Sequence, residues 1–181
     1  MKLIEKIFEP EEKATFPYWF YHWWNFNAYS INKGVWKPKY LLHDFEKPWM
    51  KLVMGYEKLK HYHRINSNHH LEYKNPEKID YEAIIIDWEV ARFTKKDALN
   101  AIETLDYELE KRVEMDLDKM ITAMKKVIPD FIVCREKEKD SRVFEVIEYK
   151  NGKMIRDEVK SGFPITASLI KNKLIMRKLK K

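Results

Sequence analysis

Residues 80–93 read Asp80-Tyr81-Glu82-Ala83-Ile84-Ile85-Ile86-Asp87-Trp88-Glu89-Val90-Ala91-Arg92-Phe93, and the fold class turns on this stretch. The Ile84-Ile85-Ile86 run alone could pass for a strand. The spacing of the flanking acidic and aromatic residues predicts a buried helix instead. That choice makes the N-terminal half helical throughout. Towards the N-terminus, Thr15 followed by Pro17 predicts a helix start and Gly34 a stop. Between them Trp19, His22, Trp23, Phe26 and Tyr29 recur at helical spacing, which embeds His22 in an aromatic face. Tyr40–Lys47 reads as a short helix ended by Pro48, and Pro48 suits the first turn of another that runs through Leu52, Met54, Tyr56 and Leu59. Residues 61–79 are polar and are expected to be mostly loop.

Towards the C-terminus, Thr94-Lys95-Lys96-Asp97 resembles a capping box with Asp in place of Glu. It opens a stripe of Leu99, Ile102, Leu105, Leu109, Val113, Leu117, Met120, Ile121, Met124 and Val127, which predicts a long amphipathic helix, with room for one break, ending at Pro129. Arg142–Val159 is rich in β-branched residues and centred on Asn151-Gly152, a strong short-range hairpin signal. The expected architecture is mainly α, a helical bundle with a small C-terminal β-hairpin appendage. The expected domains are 1–129, helical, and 130–181, a small β element over 131–160 followed by a loop and basic tail.

The chain has 181 residues, 14% of them aromatic, with 4 glycines, a composition that excludes collagen-like and low-complexity classes. Its net charge of +6 invites a nucleic-acid reading. Lys171, Lys173, Arg177, Lys178, Lys180 and Lys181 account for all of that excess, so the body is neutral. Weak nucleic-acid contact is therefore expected only through residues 171–181. The single cysteine, Cys134, allows no internal disulfide. No apolar run approaches the length of a membrane span, and the first residues lack the apolar core of a signal peptide. The expected location is cytoplasmic.

All six histidines lie before residue 71. The order His22, His43-Asp44, His61/His63/His69/His70, Asp87 is a candidate metal site. Imidazole and carboxylate suit Zn, Mn, Fe or Co, whereas a thiolate site would need cysteines that this chain lacks. Taken singly, His22 reads as a hydrogen-bonded core histidine and Asp87 as a partner of Arg92 or a lysine. Only the joint order makes them a site.

That order resembles the HD superfamily of metal-dependent phosphohydrolases, which are all-helical. Leu42-His43-Asp44-Phe45-Glu46-Lys47, then His63 and Asn68-His69-His70-Leu71-Glu72-Tyr73, then Ile86-Asp87-Trp88 is similar to an HD-like family of bacteria and phages with H-D-x-x-K, H-H-x-E-Y and D-W blocks. The resemblance spans roughly residues 18–93. It departs at Leu71, where that family usually has Trp, and at Tyr62, where it has histidine. It implies a divalent transition metal held by His43, Asp44 and Asp87, completed by His22 and by His63 or His69. Lys47 would neutralise a phosphate oxygen, and His70 or Glu72 would relay a proton or brace a ligand. The implied activity is hydrolysis of a nucleotide or phosphodiester through a metal-activated water. Two other expectations stand beside it: a di-iron oxygenase on the same scaffold with Asp44 bridging, and a non-catalytic metal- or nucleic-acid-binding protein.

Overall fold

A computed structural model describes residues 15–95, 98–110, 115–128, 130–136, 143–161 and 174–177. The chain is mainly helical with a small C-terminal antiparallel sheet. It divides into two units, Met1–Asn100 and Ala101–Lys181. The sequence boundary drawn at residue 129 instead follows the change in composition.

In the first unit, α1 (Phe16–Asn32) starts at Thr15, whose Oγ1 accepts from the Tyr18 amide at 3.4 Å, with Pro17 in the first turn. It stops where Gly34 N–H donates to Ile31 and Val35 N–H donates to Ser30, a pair of bonds that satisfies its last carbonyls. Trp19, His22, Phe26 and Ser30 recur every three or four residues and form its buried face, which packs on α4 (Tyr81–Thr94). The stretch on which the fold class turned is that helix. Ile84, Ile85 and Ile86 are each fully buried, so consecutive apolar residues are needed on several faces rather than one.

Asp80 caps α4, its Oδ1 accepting from the Ala83 amide at 3.3 Å. Its carboxylate also meets Lys37 Nζ at 3.3 Å and Lys39 Nζ at 2.6 Å. Burial alone would raise the Asp80 pKa, but the two lysines and the amide hold it below the usual carboxylate range. A depressed folded pKa means stabilisation that is present above the unfolded value and lost as pH falls through the folded one. Asp80→Ala is expected to cost about 1–2 kcal/mol at neutral pH. The difference from the parent should shrink as urea titrations are taken from neutral pH to below the ordinary aspartate value. An equal cost at both pH values would show that the charge contributes nothing.

Between α1 and α4 the sequence expectations need correcting. Residues 40–47 do not form one helix. A 3-10 turn, Pro38–Leu42, ends before His43, and Asp44 has φ 59°, a left-handed conformation that Asp tolerates better than most residues. α2 then begins at Lys47 and ends at Met54. Gly55, at φ 78° and ψ 166°, takes a conformation essentially closed to other residues and separates α2 from α3 (Tyr56–Asn66). So α3 covers His61 and His63, which were expected in a loop. Only Leu59 and His63 of α3 are buried, so its apolar periodicity was too sparse to read.

In the second unit, the expected long helix is two among the described residues, α5 (Ala101–Glu110) and α6 (Leu117–Val127). Asp116 starts α6 by accepting from the Lys119 amide at 3.0 Å. The proposed capping box does not open a helix at Thr94, which closes α4; Lys96 and Asp97 lie outside the described residues. Met120, Ala123, Met124 and Val127 form the buried stripe of α6.

The sheet has four strands in the order β3-β2-β1-β4: β1 Phe131–Glu136, β2 Val143–Lys150, β3 Lys153–Ser161 and β4 Leu174–Arg177. It is larger than the expected hairpin because residues 174–177, expected in a loop and tail, pair antiparallel with β1. The remainder of that basic tail lies outside the described residues. The hairpin itself is where Asn151-Gly152 placed it, with φ 50° and 70° at the two turn residues. A Cβ on Gly152 would stand 2.8 Å from the Lys125 carbonyl oxygen. Gly152→Ala therefore meets both a disfavoured φ and a backbone clash, and is expected to destabilise the protein by about 1–3 kcal/mol. A thermal midpoint unchanged from the parent would contradict this contact.

Candidate metal centre

Six side chains from five segments of the first unit converge in one cluster around Asp44. α1 supplies His22, the turn supplies His43 and Asp44, α3 supplies His63, the following loop supplies His69, and α4 supplies Asp87. The left-handed turn at Asp44 lets its two carboxylate oxygens face different partners. Oδ1 lies 3.0 Å from His63 Nε2 and 3.2 Å from His69 Nε2. Oδ2 lies 3.6 Å from His43 Nε2 and 3.8 Å from His22 Nε2. Asp87 Oδ1 is 2.8 Å from His22 Nε2 and 3.4 Å from His43 Nε2.

Two groups of these residues could hold a metal ion: His22, His43, Asp44 and Asp87, and His63, His69 and His70, the ligating atoms of each group lying within 4.8 Å of one another. The donor set fits a borderline divalent ion. Buried polar atoms support the fit. His70 Nε2 has no hydrogen-bond partner, and Asp44 Oδ1, though close to two imidazoles, accepts no well-aligned hydrogen bond. Such atoms are costly inside a protein unless something satisfies them.

The electrostatics favour charged carboxylates and neutral His43 and His70, the protonation states that ligation requires, whereas His63, against the pull of burial, is raised above the ordinary histidine value by hydrogen bonds to Asp44 and Glu46. Burial drives the His43 pKa down to about 4 and pushes His70 well below the ordinary histidine value. Burial would also raise Asp44, but His43 and the Lys47 ammonium hold it well below the usual carboxylate range. Asp87 is likewise depressed against the pull of burial, through His22 and His43.

Supports surround the ligands. The His43 ring stacks on Phe26 with centroids 3.7 Å apart, and its carbonyl accepts from Trp19 Nε1 at 3.1 Å. His63 Nδ1 lies 2.5 Å from Glu46 Oε1 and 3.0 Å from Ser67 Oγ, which turns Nε2 towards Asp44. Glu46 and Ser67 were not anticipated: the orienting partner of a histidine obeys no fixed spacing, although Glu46 lies in the quoted Leu42–Lys47 block. Lys47 reaches Asp44 Oδ2 at 2.5 Å from the start of α2, rather than by sharing a helix with His43. His61 is exposed and stands outside both groups. Glu72 is not brought to the cluster, because it pairs with Arg64 at 2.7 Å on the surface.

The helical fold with this His/Asp cluster is compatible with an HD-like protein. No protein-family model, curated protein or solved structure matches the chain significantly. Among the described residues, no helix is long and apolar enough to cross a membrane.

Proposed function

We propose that this chain is a metal-dependent phosphohydrolase that acts on a nucleotide or another phosphate ester and holds two divalent transition ions that share Asp44. The observation that carries the reading is the division of Asp44, with one oxygen towards His63 and His69 and the other towards His22 and His43. Bound there, such ions would supply Lewis-acid polarisation of a phosphoryl oxygen and a water of lowered pKa. His22, His43, Asp44 and Asp87 would hold one ion, and Asp44 with His63, His69 and His70 the other.

The chain's own groups do the remaining work. The side chains of Lys47 and Asp87 are 24% and 19% exposed, so the cluster meets solvent on their side. Asp44 and Asp87 pull the Lys47 pKa upward against burial, so Lys47 stays charged and able to neutralise a non-bridging phosphate oxygen. Glu46 fixes the His63 tautomer.

The test is metal loading followed by turnover. The full chain loaded with manganese should release phosphate from phosphate esters, and chelation should abolish that release. Loaded protein that hydrolyses none of a panel of mono- and diesters would contradict the reading. A di-iron oxygenase is the second reading, favoured by the all-histidine second group. Iron-dependent oxygen consumption without hydrolysis would select it. A non-catalytic metal- or nucleic-acid-binding role is the third, and salt-sensitive binding that disappears when Lys178, Lys180 and Lys181 are replaced by Gln, with β4 left in place, would support it.

A further inference from the structure

We infer that the cavity beside the ligand cluster binds a neutral, hydroxyl-rich organic group, so that the substrate is a small polyol or sugar monophosphate rather than a polyphosphate or polymer. The inference rests on the hydrolase reading for the phosphate, and on the cavity alone for the organic part. The cavity, of about 230 Å³, is bounded by the 3-10 turn, the loop after α3 and the first turn of α4. Its walls include His43, Asp44 and His69, so it opens directly onto three of the candidate ligands. Asp44 also meets Lys47, so one carboxylate touches both the phosphate-neutralising group and the cavity.

Three features define the occupant. Space is the first: about 230 Å³ admits a single small ring and not a chain of nucleotides. Charge is the second. The three carboxylates of the lining, Asp44, Glu46 and Asp80, are balanced by three ammonium groups, Lys39 in the lining and Lys37 and Lys47 paired with Asp80 and Asp44, so neither an organic cation nor a second anionic group is favoured. Hydrogen-bonding capacity is the third. Asn68 and Tyr73 both line the cavity, and no side-chain hydrogen bond is recorded for either among the described residues, so an amide and a phenol there are available to an occupant. Hydroxyl groups, which both donate and accept, suit such a pair.

The experiment uses the full chain in two arms. In the first, saturation-transfer NMR measures D-ribose binding to the metal-free protein. Asn68→Leu and Tyr73→Phe should each weaken binding about five- to tenfold, the effect of losing one uncharged hydrogen bond or two. In the second, the manganese-loaded chain is assayed with ribose 5-phosphate and phenyl phosphate. The same variants should raise KM for the sugar phosphate and leave KM for phenyl phosphate unchanged. Absence of ribose binding, or equal binding by parent and variants, overturns the inference. Turnover of phenyl phosphate without ribose binding overturns it while supporting the hydrolase reading. Ribose binding that both variants weaken, without turnover of either ester, supports the cavity assignment and overturns the hydrolase reading.

Discussion

Asp44→Asn is expected to deprive the protein of bound metal and to reduce phosphate-ester turnover to background. The substitution isolates the charge. Asn adopts the left-handed conformation that Asp44 holds at φ 59°, so the turn between the 3-10 helix and α2 survives. What disappears is the one anionic group that faces both histidine sets. An amide offers a single, neutral oxygen and a nitrogen that cannot ligate, so neither group keeps its ligand set. Circular dichroism should report a folded metal-free variant, and elemental analysis after loading should report little metal. A folded variant that retains full metal would remove Asp44 from the centre.

Lys47→Ala should do the reverse, keeping the metal and losing the rate. Lys47 is no ligand; its ammonium stands 2.5 Å from Asp44 Oδ2, where it competes with any cation for that oxygen. Removing it leaves metal affinity equal or greater. The loss falls on stabilisation of the charge that develops on the phosphoryl group, for which about 10²- to 10³-fold in kcat is the usual scale. Unchanged kcat with metal in place would exclude Lys47 from the mechanism.

The parts of this structure that were legible in the sequence are those governed by local rules. Thr15 with Pro17, and the spacing of Trp19, His22 and Phe26, specify α1 because caps and periodicity act within a few residues. Asn151-Gly152 specifies the hairpin for the same reason: a two-residue turn with both φ values positive is a local demand. The misread parts depend on distant partners. His63 is buried on a helix that is otherwise polar, and its burial is explained by Asp44 and Glu46, which lie 17 or more positions away. β4 needs β1, some forty residues before it, and its four residues carry no strand signal apart from that pairing. Asp44 was expected on a helix, where adjacent His and Asp side chains diverge. The left-handed turn instead lets both reach one cluster.

The candidate site was legible as a set and not residue by residue. His22 alone reads as a core histidine, and its 2.8 Å contact with Asp87 is what joins it to the others. Glu72, attractive beside His69 and His70 in sequence, is carried to the surface and paired with Arg64.

The most direct test of the central claim is the metal content of the full chain, measured by elemental analysis after loading with manganese, iron, cobalt or zinc and removal of excess ion. The account predicts about two divalent ions per chain, falling to near none in Asp44→Asn. Protein that retains no ion from any of the four, while remaining folded, would contradict it.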